Sequence, residues 1–140
     1  MNYRTTIILL LSLLCLPCGI CRAQDDASRK RDLVIKEWNT DVASNVKFLD
    51  HETVYDGQGR KIGETEYTRQ GKLWTKKFEY GQDGRVCREL TYNEKGRLDS
   101  VKKFEYNETG RKQAVYTYDS KGRLVKTKVY EYKYRDDVSR

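Results

Sequence analysis

The sequence predicts an all-β protein, an antiparallel meander of about eight strands that forms an open curled sheet or a small barrel. Three observations predict it. First, the frame Tyr-x-x-x-Gly-(Arg/Lys) occurs six times without a gap, as YDGQGR (Tyr55–Arg60), YTRQGK (Tyr67–Lys72), YGQDGR (Tyr80–Arg85), YNEKGR (Tyr92–Arg97), YNETGR (Tyr106–Arg111) and YDSKGR (Tyr118–Arg123). Second, its glycines are separated by 12, 13, 12, 14 and 12 residues, so each interval holds one strand and one turn. Third, the segments between them, such as RVCRELTY and RKQAVYTY, are rich in the β-branched and aromatic residues that favour strands.

Residues 1–23 stand apart from this pattern. Arg4 precedes an apolar run from Ile7 to Leu16, then Pro17, then a small-residue stop at Ala23. This is the layout of a secretory signal peptide, with cleavage expected between Ala23 and Gln24, and the run is too short for a permanent membrane span. Cys15, Cys18 and Cys21 follow Leu14, Pro17 and Ile20 rather than a small residue, which argues against a lipid anchor. Their spacing resembles a metal motif, but it lies in the greasy leader and has no second half. Removing this segment takes away Arg4, Arg22 and no acid, so the formal charge falls from +7 to +5. Cys87 then remains as a lone thiol.

Residues 24–31 read as a flexible N-terminus, and 32–140 as a single β-repeat domain. DLVIKEW (Asp32–Trp38) reads as a first strand, with an amphipathic helix as the rival because Val34, Trp38 and Val42 are four apart. Trp38 to Asn45 then forms a longer, degenerate turn, closed by Asn45, which tolerates positive φ. The six repeats follow. Asp56, Asn93, Asn107 and Asp119 occupy the place where a type I turn wants a short polar side chain, and the glycine three residues on supplies the left-handed residue of a bulged hairpin. KKFEY occurs at Lys76–Tyr80 and again at Lys102–Tyr106 because alternate hairpins point the same way. The one odd interval, 13 residues from Gly71 to Gly84, would reverse the faces unless a bulge lies near Lys72–Lys77, with Trp74 or Thr75 as the favoured position.

Strict alternation from the turns gathers Phe78, Tyr80, Leu90, Tyr92, Phe104, Tyr106, Tyr116 and Tyr118 on one aromatic face, with Arg88, Lys102, Lys112, Lys126 and Lys128 among them. It places Glu79, Cys87, Glu89, Thr91, Glu105, Val115 and Thr117 on a polar face. Nothing in the sequence is available to cover the aromatic face, so the sheet curls over it, closes, or stays flat under long Lys and Tyr stems.

At TYDSKGRLVKTKVYEY (Thr117–Tyr132) the chain resembles the YD repeats of Rhs-type bacterial cell-surface proteins, whose pattern is Tyr-Asp-x-x-Gly-Arg-Leu followed by an alternating strand ending in Tyr. The resemblance runs from Tyr55 to Tyr132, best in YDSKGRL and YNEKGRL, while YTRQGKL and YGQDGRV lack the Asp or Asn. It implies an extended β-architecture linked to carbohydrate binding or to encasing a toxin. So few repeats do not make the large shell of the long relatives.

Catalysis finds little in the composition. His51 is the single histidine, and Cys87 has no second thiol after export. Glu79, Glu105 and Glu131 each precede a Tyr, but Lys or Arg neighbours make them ion-pair partners rather than an acid–base pair. No metal cluster, phosphate loop or cofactor motif is present in the sequence. What remains is binding. Arg60, Arg85 and Arg111 form a basic ladder at one end of the strands, and Lys72, Arg97 and Arg123 form one at the other. Tyr80, Tyr92, Tyr106 and Tyr118 stand beside them. Eleven tyrosines, with flanking cations, suit sugar rings or protein partners.

The resulting expectation is an exported, non-catalytic module that binds an acidic polysaccharide or an extracellular protein, without nucleic acid, cofactor or permanent membrane insertion. The alternative is a structural component of a bacterial surface complex that uses KTKVYEYKYRDD as an edge strand, which its lysines and acids oppose.

Overall fold

The computed structural model describes residues 27–134; the expected leader, its cleavage point and the last six residues lie outside the described residues. Eight strands follow one another: β1 (Val34–Asp41), β2 (Val46–Tyr55), β3 (Lys61–Thr68), β4 (Gly71–Tyr80), β5 (Val86–Asn93), β6 (Leu98–Tyr106), β7 (Lys112–Asp119) and β8 (Leu124–Val129). They form one antiparallel sheet in sequence order, and each strand touches only its neighbours in the chain. The sheet is therefore open, with β1 and β8 as free edges, and the barrel alternative does not apply. The N-terminal segment is a strand and not the rival helix.

The repeat glycines do what their spacing implies. Gly59, Gly84, Gly96, Gly110 and Gly122 have φ between 71° and 78°. In each of these five turns the glycine N–H donates back three residues, and the residue after the repeat tyrosine closes a second bond, as in Gly59 N–H to Asp56 O (2.8 Å) and Asp56 N–H to Arg60 O (2.9 Å). An L side chain at such a φ is strained, which is why glycine recurs. Asn45 fills the same role in the first turn with φ 53°. That turn is shorter than expected, because β1 runs on to Asp41, whose carboxylate accepts the Ser44 N–H (2.8 Å).

The turn after Tyr67 departs from the others. Thr68 pairs directly with Gly71 across a two-residue loop, and Gly71 has φ 122°, far from the value its counterparts share. This shorter turn absorbs the odd interval. A bulge does lie in the expected stretch, but at Leu73, not at Trp74 or Thr75, and it is not special to that strand. Every hairpin slips by one residue on its outgoing strand, close to the turn in all but the first. Asp50, Ile62, Leu73, Cys87, Asp99, Gln113 and Val125 are thereby left without an opposite residue.

These slips overturn the expected faces. Tyr80 still stands opposite Val86, but after the slip Phe78 opposes Glu89, whereas Leu90 opposes Lys77. Face one thus carries Phe78, Tyr80, Phe104 and Tyr106 together with Glu89, Thr91, Val115 and Thr117. Face two carries Leu90, Tyr92, Tyr116 and Tyr118 with Glu79 and Glu105. Aromatic residues are shared between both faces, since a one-residue bulge exchanges sides for everything beyond it.

A single layer leaves little core. Among the described residues Ala114, Val115, Thr53 and Thr65 are the buried ones, and no large side chain is fully covered. Thr65 and Thr75 meet across β3 and β4 through their hydroxyls (3.2 Å). Stability therefore rests on neighbouring strand pairs, as in a solenoid. Residues 27–29, within the 24–31 segment, form a helical turn that leads to Asp32 (φ 52°), whose N–H donates to Asp56 O (3.0 Å). Lys30 lies over the Tyr55 ring at 5.8 Å, and the Ala27 carbonyl fills the space beside Gly59.

The turn carboxylates make the fold sensitive to acid. Asp56 accepts the Gln58 and Arg60 N–H groups and an Arg60 guanidinium bond, and Asp119 does the same with Lys121 and Arg123. The backbone N–H of the arginine, above all, holds each below its ordinary value near 3.8. A folded pKa lower than the unfolded one adds stability that is complete above the unfolded value and is lost as pH falls through the folded one. Thermal stability is expected to drop below about pH 4, and the Asp56→Asn/Asp119→Asn variant to show a flatter acid limb in melts from pH 5 to 2. Asn93 and Asn107 already accept the corresponding backbone N–H, of Arg97 and Arg111, without a titrating group.

Candidate functional site

The two basic ladders turn out to be unlike. At the end that holds the Gly59, Gly84 and Gly110 turns, each arginine covers a tyrosine further along the chain, in the next turn on that side for Arg60 and Arg85 and beyond β8 for Arg111. Arg60 lies over Tyr80 (4.7 Å), Arg85 over Tyr106 (5.7 Å), and Arg111 over Tyr132 (5.3 Å) and Tyr134 (5.4 Å). The tyrosine hydroxyls reach back beneath them: Tyr80 donates to Lys61 O (2.8 Å), Tyr106 to Val86 O (2.9 Å) and Tyr132 to Lys112 O (2.7 Å). Burial raises the phenols of Tyr80 and Tyr106 above their ordinary value. Carboxylates complete the cluster, Asp56 on Arg60 (2.8 Å) and Asp83 on Arg85 (2.9 Å). Each guanidinium is engaged within the chain, so this ladder ties alternate hairpins together.

At the opposite end Arg123 folds back on Asp119 (2.6 Å), while the Lys72 and Arg97 side chains have no hydrogen-bond or ion-pair partner among the described residues. Tyr92 lies under Lys77 (5.5 Å), not under an arginine, and Tyr118 stands between Val101 and Leu124. Lys72, Arg97 and Arg123 thus share an end of the sheet without forming a unit with Tyr92 and Tyr118.

A third cationic group was not assembled by sequence reasoning. On face one, Lys102, Thr117 and Lys126 stand in register across β6, β7 and β8, with Phe104, Val115 and Lys128 in the next row. Together with Lys112 and Tyr130 they line a trough of about 420 Å³. Lys102 and Lys126 are two strand spacings apart, roughly 10 Å. The Lys112 ammonium lies over the Phe104 ring (4.9 Å) and that of Lys128 over the Tyr130 ring (4.8 Å), so both charges sit on aromatic faces of the trough with no carboxylate partner. Glu89 is the one carboxylate in the lining, and it is paired with Lys102 (2.9 Å). The sequence signal existed, since these lysines alternate with aromatics, but their juxtaposition depends on the register.

Elsewhere on face one the charge is balanced. His51 Nδ1 meets Glu66 (2.8 Å), and Lys61 meets Glu64 (2.6 Å). Burial works against the charge of Glu64, yet the Lys61 hydrogen bond and the charges of Lys61 and Lys76 hold its pKa below the ordinary value. His51 on β2 and Cys87 on β5 lie three strand spacings apart, roughly 14 Å, so they do not meet. Cys87 Sγ points to the Glu79 carbonyl (3.5 Å). Glu79 pairs across strands with Arg88 (3.0 Å), whereas Glu105 and Glu131 take neighbours on their own segments, Lys103 and Lys133. Among the described residues no group of acids, histidines and cysteines could hold a metal ion, and no helix is long and apolar enough to cross a membrane.

No protein-family model and no curated protein matches the chain. Among solved structures it is similar to TarM of S. aureus. A point mutant of TarM in complex with fondaparinux, α-GlcNAc-glycerol and UDP is 12% identical with a TM-score of 0.35, and a second TarM crystal structure is 13% identical with the same score. Each match covers 77% of this chain and 24% of the other, so the chain spans about a quarter of the length of those structures. At that TM-score the likeness bears on neither activity nor ligand.

Proposed function

We propose that this chain is an exported, non-catalytic β-repeat protein that binds an acidic polysaccharide on face one of its sheet, in the trough between β6 and β8. The observation that carries the reading is the four lysines around Phe104 and Tyr130 with a single, already paired carboxylate. Lysines held by aromatic faces at intervals of roughly 5–10 Å present ammonium groups to successive sulfates or carboxylates along a polymer, while the rings offer flat apolar area to sugar. The resemblance of Thr117–Tyr132 to YD repeats accords with a glycan partner at a cell surface. Arg60 and Arg85 are each neutralised by a carboxylate of their own turn, whereas Lys102 alone of the four trough lysines is ion-paired among the described residues, so the binding role passes from Arg60, Arg85 and Arg111 to Lys102, Lys112, Lys126 and Lys128.

Heparin-affinity chromatography tests this. The native protein is expected to be retained and to elute with salt. The quadruple Lys→Gln variant at Lys102, Lys112, Lys126 and Lys128 is expected to lose at least about tenfold in affinity, since each charged contact to an anion contributes on the order of 1 kcal/mol. Substituting Lys72 and Arg97 by Gln leaves retention nearly unchanged. Flow-through of the native protein, or equal loss in both variants, would refute the assignment.

A further inference from the structure

An open single-layer sheet has two unpaired edges, and here the exposed apolar side chains collect at them. Among the described residues twelve large hydrophobic side chains are exposed, and ten of them lie on β1 with the adjoining turn and start of β2, or on β8 with the residues that follow it. Trp38 is 53% exposed, Val125 60% and Val129 68%; the two exceptions are Ile62 and Leu73. A monomer in water gains nothing from edges so composed, and such edges template strand addition.

We propose that copies of this chain join edge to edge, β8 of one against β1 of the next, and so continue the meander from molecule to molecule. The direction is right, because the first and eighth strands of an antiparallel meander run oppositely. The hydrogen-bond pattern sets the register. Tyr55 N–H donates to Leu33 O, so Val34 and Lys36 turn their backbone groups outward on β1. Tyr130 N–H donates to Gln113 O, so Thr127 and Val129 do so on β8. Matching these groups places Val129 opposite Val34 and Thr127 opposite Lys36. On the other face it places Lys128 opposite Ile35 and Lys126 opposite Glu37.

Charge then selects the partner. Glu37 and Lys126 are exposed, and neither has an ion-pair partner among the described residues. Pairing β8 with a second β8 would set lysine against lysine wherever Thr127 faces Thr127 or Val129 of the other copy, because Lys126 and Lys128 flank Thr127 on one face. Opposite charges facing each other across strands are favourable and like charges are not. The lysines that oppose indiscriminate pairing at this edge thus admit the β1 edge of another copy, where Glu37 faces Lys126. An interface between two different edges leaves a free edge at each end of a dimer, so assembly runs on past two copies to a longer chain or, where the rotation closes, a ring.

Sedimentation of the purified exported chain at low ionic strength is the test. Its weight-average mass is expected to rise with concentration past that of a dimer and to fall when salt is added. Proline at an outward-facing position spares the internal ladder. Lys36→Pro and Thr127→Pro are therefore each expected to be monomeric alone and to form a one-to-one dimer when mixed. Glu37→Lys should weaken association about fivefold, and adding Lys126→Glu should restore it. A mass that stays monomeric throughout, a stop at the dimer, or self-association of either proline variant would overturn the proposal. Should the proline variants fail to fold by circular dichroism, the charge pair decides: restoration supports the register, and indifference to both substitutions refutes it. None of these readings involves glycan.

Discussion

Replacing Tyr80 with alanine is expected to destabilise the protein by about 3 kcal/mol, and replacing it with phenylalanine by about 1 kcal/mol. The ring is partly covered on face one, packed beneath the Arg60 guanidinium, and its hydroxyl donates to Lys61 O at 2.8 Å. Truncation removes the ring and its cation. A fully buried aromatic would cost about 3–5 kcal/mol, and Tyr80 belongs at the lower limit because it is only half-buried. Phenylalanine keeps the ring but strips one carbonyl of its partner, which costs about 1 kcal/mol. Tyr118 provides the control. It occupies the same place in its repeat, yet no arginine covers it and its hydroxyl has no hydrogen-bond partner among the described residues. Tyr118→Ala should cost about half as much as Tyr80→Ala. Urea unfolding of the three variants would decide, and equal losses for Tyr80→Ala and Tyr118→Ala would show that the ladder carries no stability of its own. For a domain stable by about 5–15 kcal/mol in total, the larger loss is severe.

Gly59→Ala should be considerably more harmful than Gly122→Ala, although the two glycines have nearly the same φ, 75° and 78°. The strain of an L residue in the left-handed region is common to both and costs roughly 1–2 kcal/mol. The surroundings differ. Nothing lies within 4 Å of a Cβ at Gly122, whereas at Gly59 it would run into the Ala27 carbonyl. Either the turn or the N-terminal helical turn must then move, and with it the bond from Asp32 N–H to Asp56 O. We expect Gly59→Ala to cost about twice as much as Gly122→Ala, with the excess disappearing when residues 24–31 are deleted. That outcome would identify the segment as a cap on the first hairpin. An excess that survives the deletion would place its origin in the turn itself.

The pH, heparin and sedimentation experiments address different layers of the molecule. The first reads the turn carboxylates, the second the trough on face one, and the third the two edges. Loss of heparin retention in the lysine variant with unchanged sedimentation of Glu37→Lys would separate glycan binding from assembly. The reverse pattern would leave the protein as a surface polymer whose lysines serve solubility.

Strand number, strand order and the placement of the turns were legible because they depend on local chemistry. A glycine at positive φ, an Asp or Asn at the turn's first position and a β-rich interval each leave a mark in a single repeat, and six repeats multiply it. Asn45 in the first turn was legible for the same reason. The length of the Tyr67 turn was not, because Thr68-Arg69-Gln70-Gly71 satisfies the frame while Thr68 pairs directly with Gly71. The faces were beyond the sequence altogether. The residues skipped in the hairpins include Ile62, Cys87, Asp99, Gln113 and Val125, which share no chemistry, so no side-chain signal marks the slip. A slip of one residue exchanges the sides of a strand. It therefore decided which tyrosines Arg60 and Arg85 cover, and that Lys102, Lys112, Lys126 and Lys128 gather around Phe104 and Tyr130. Local conformational preference specified the meander; cross-strand registry, a property of pairs of strands, decided what stands next to what.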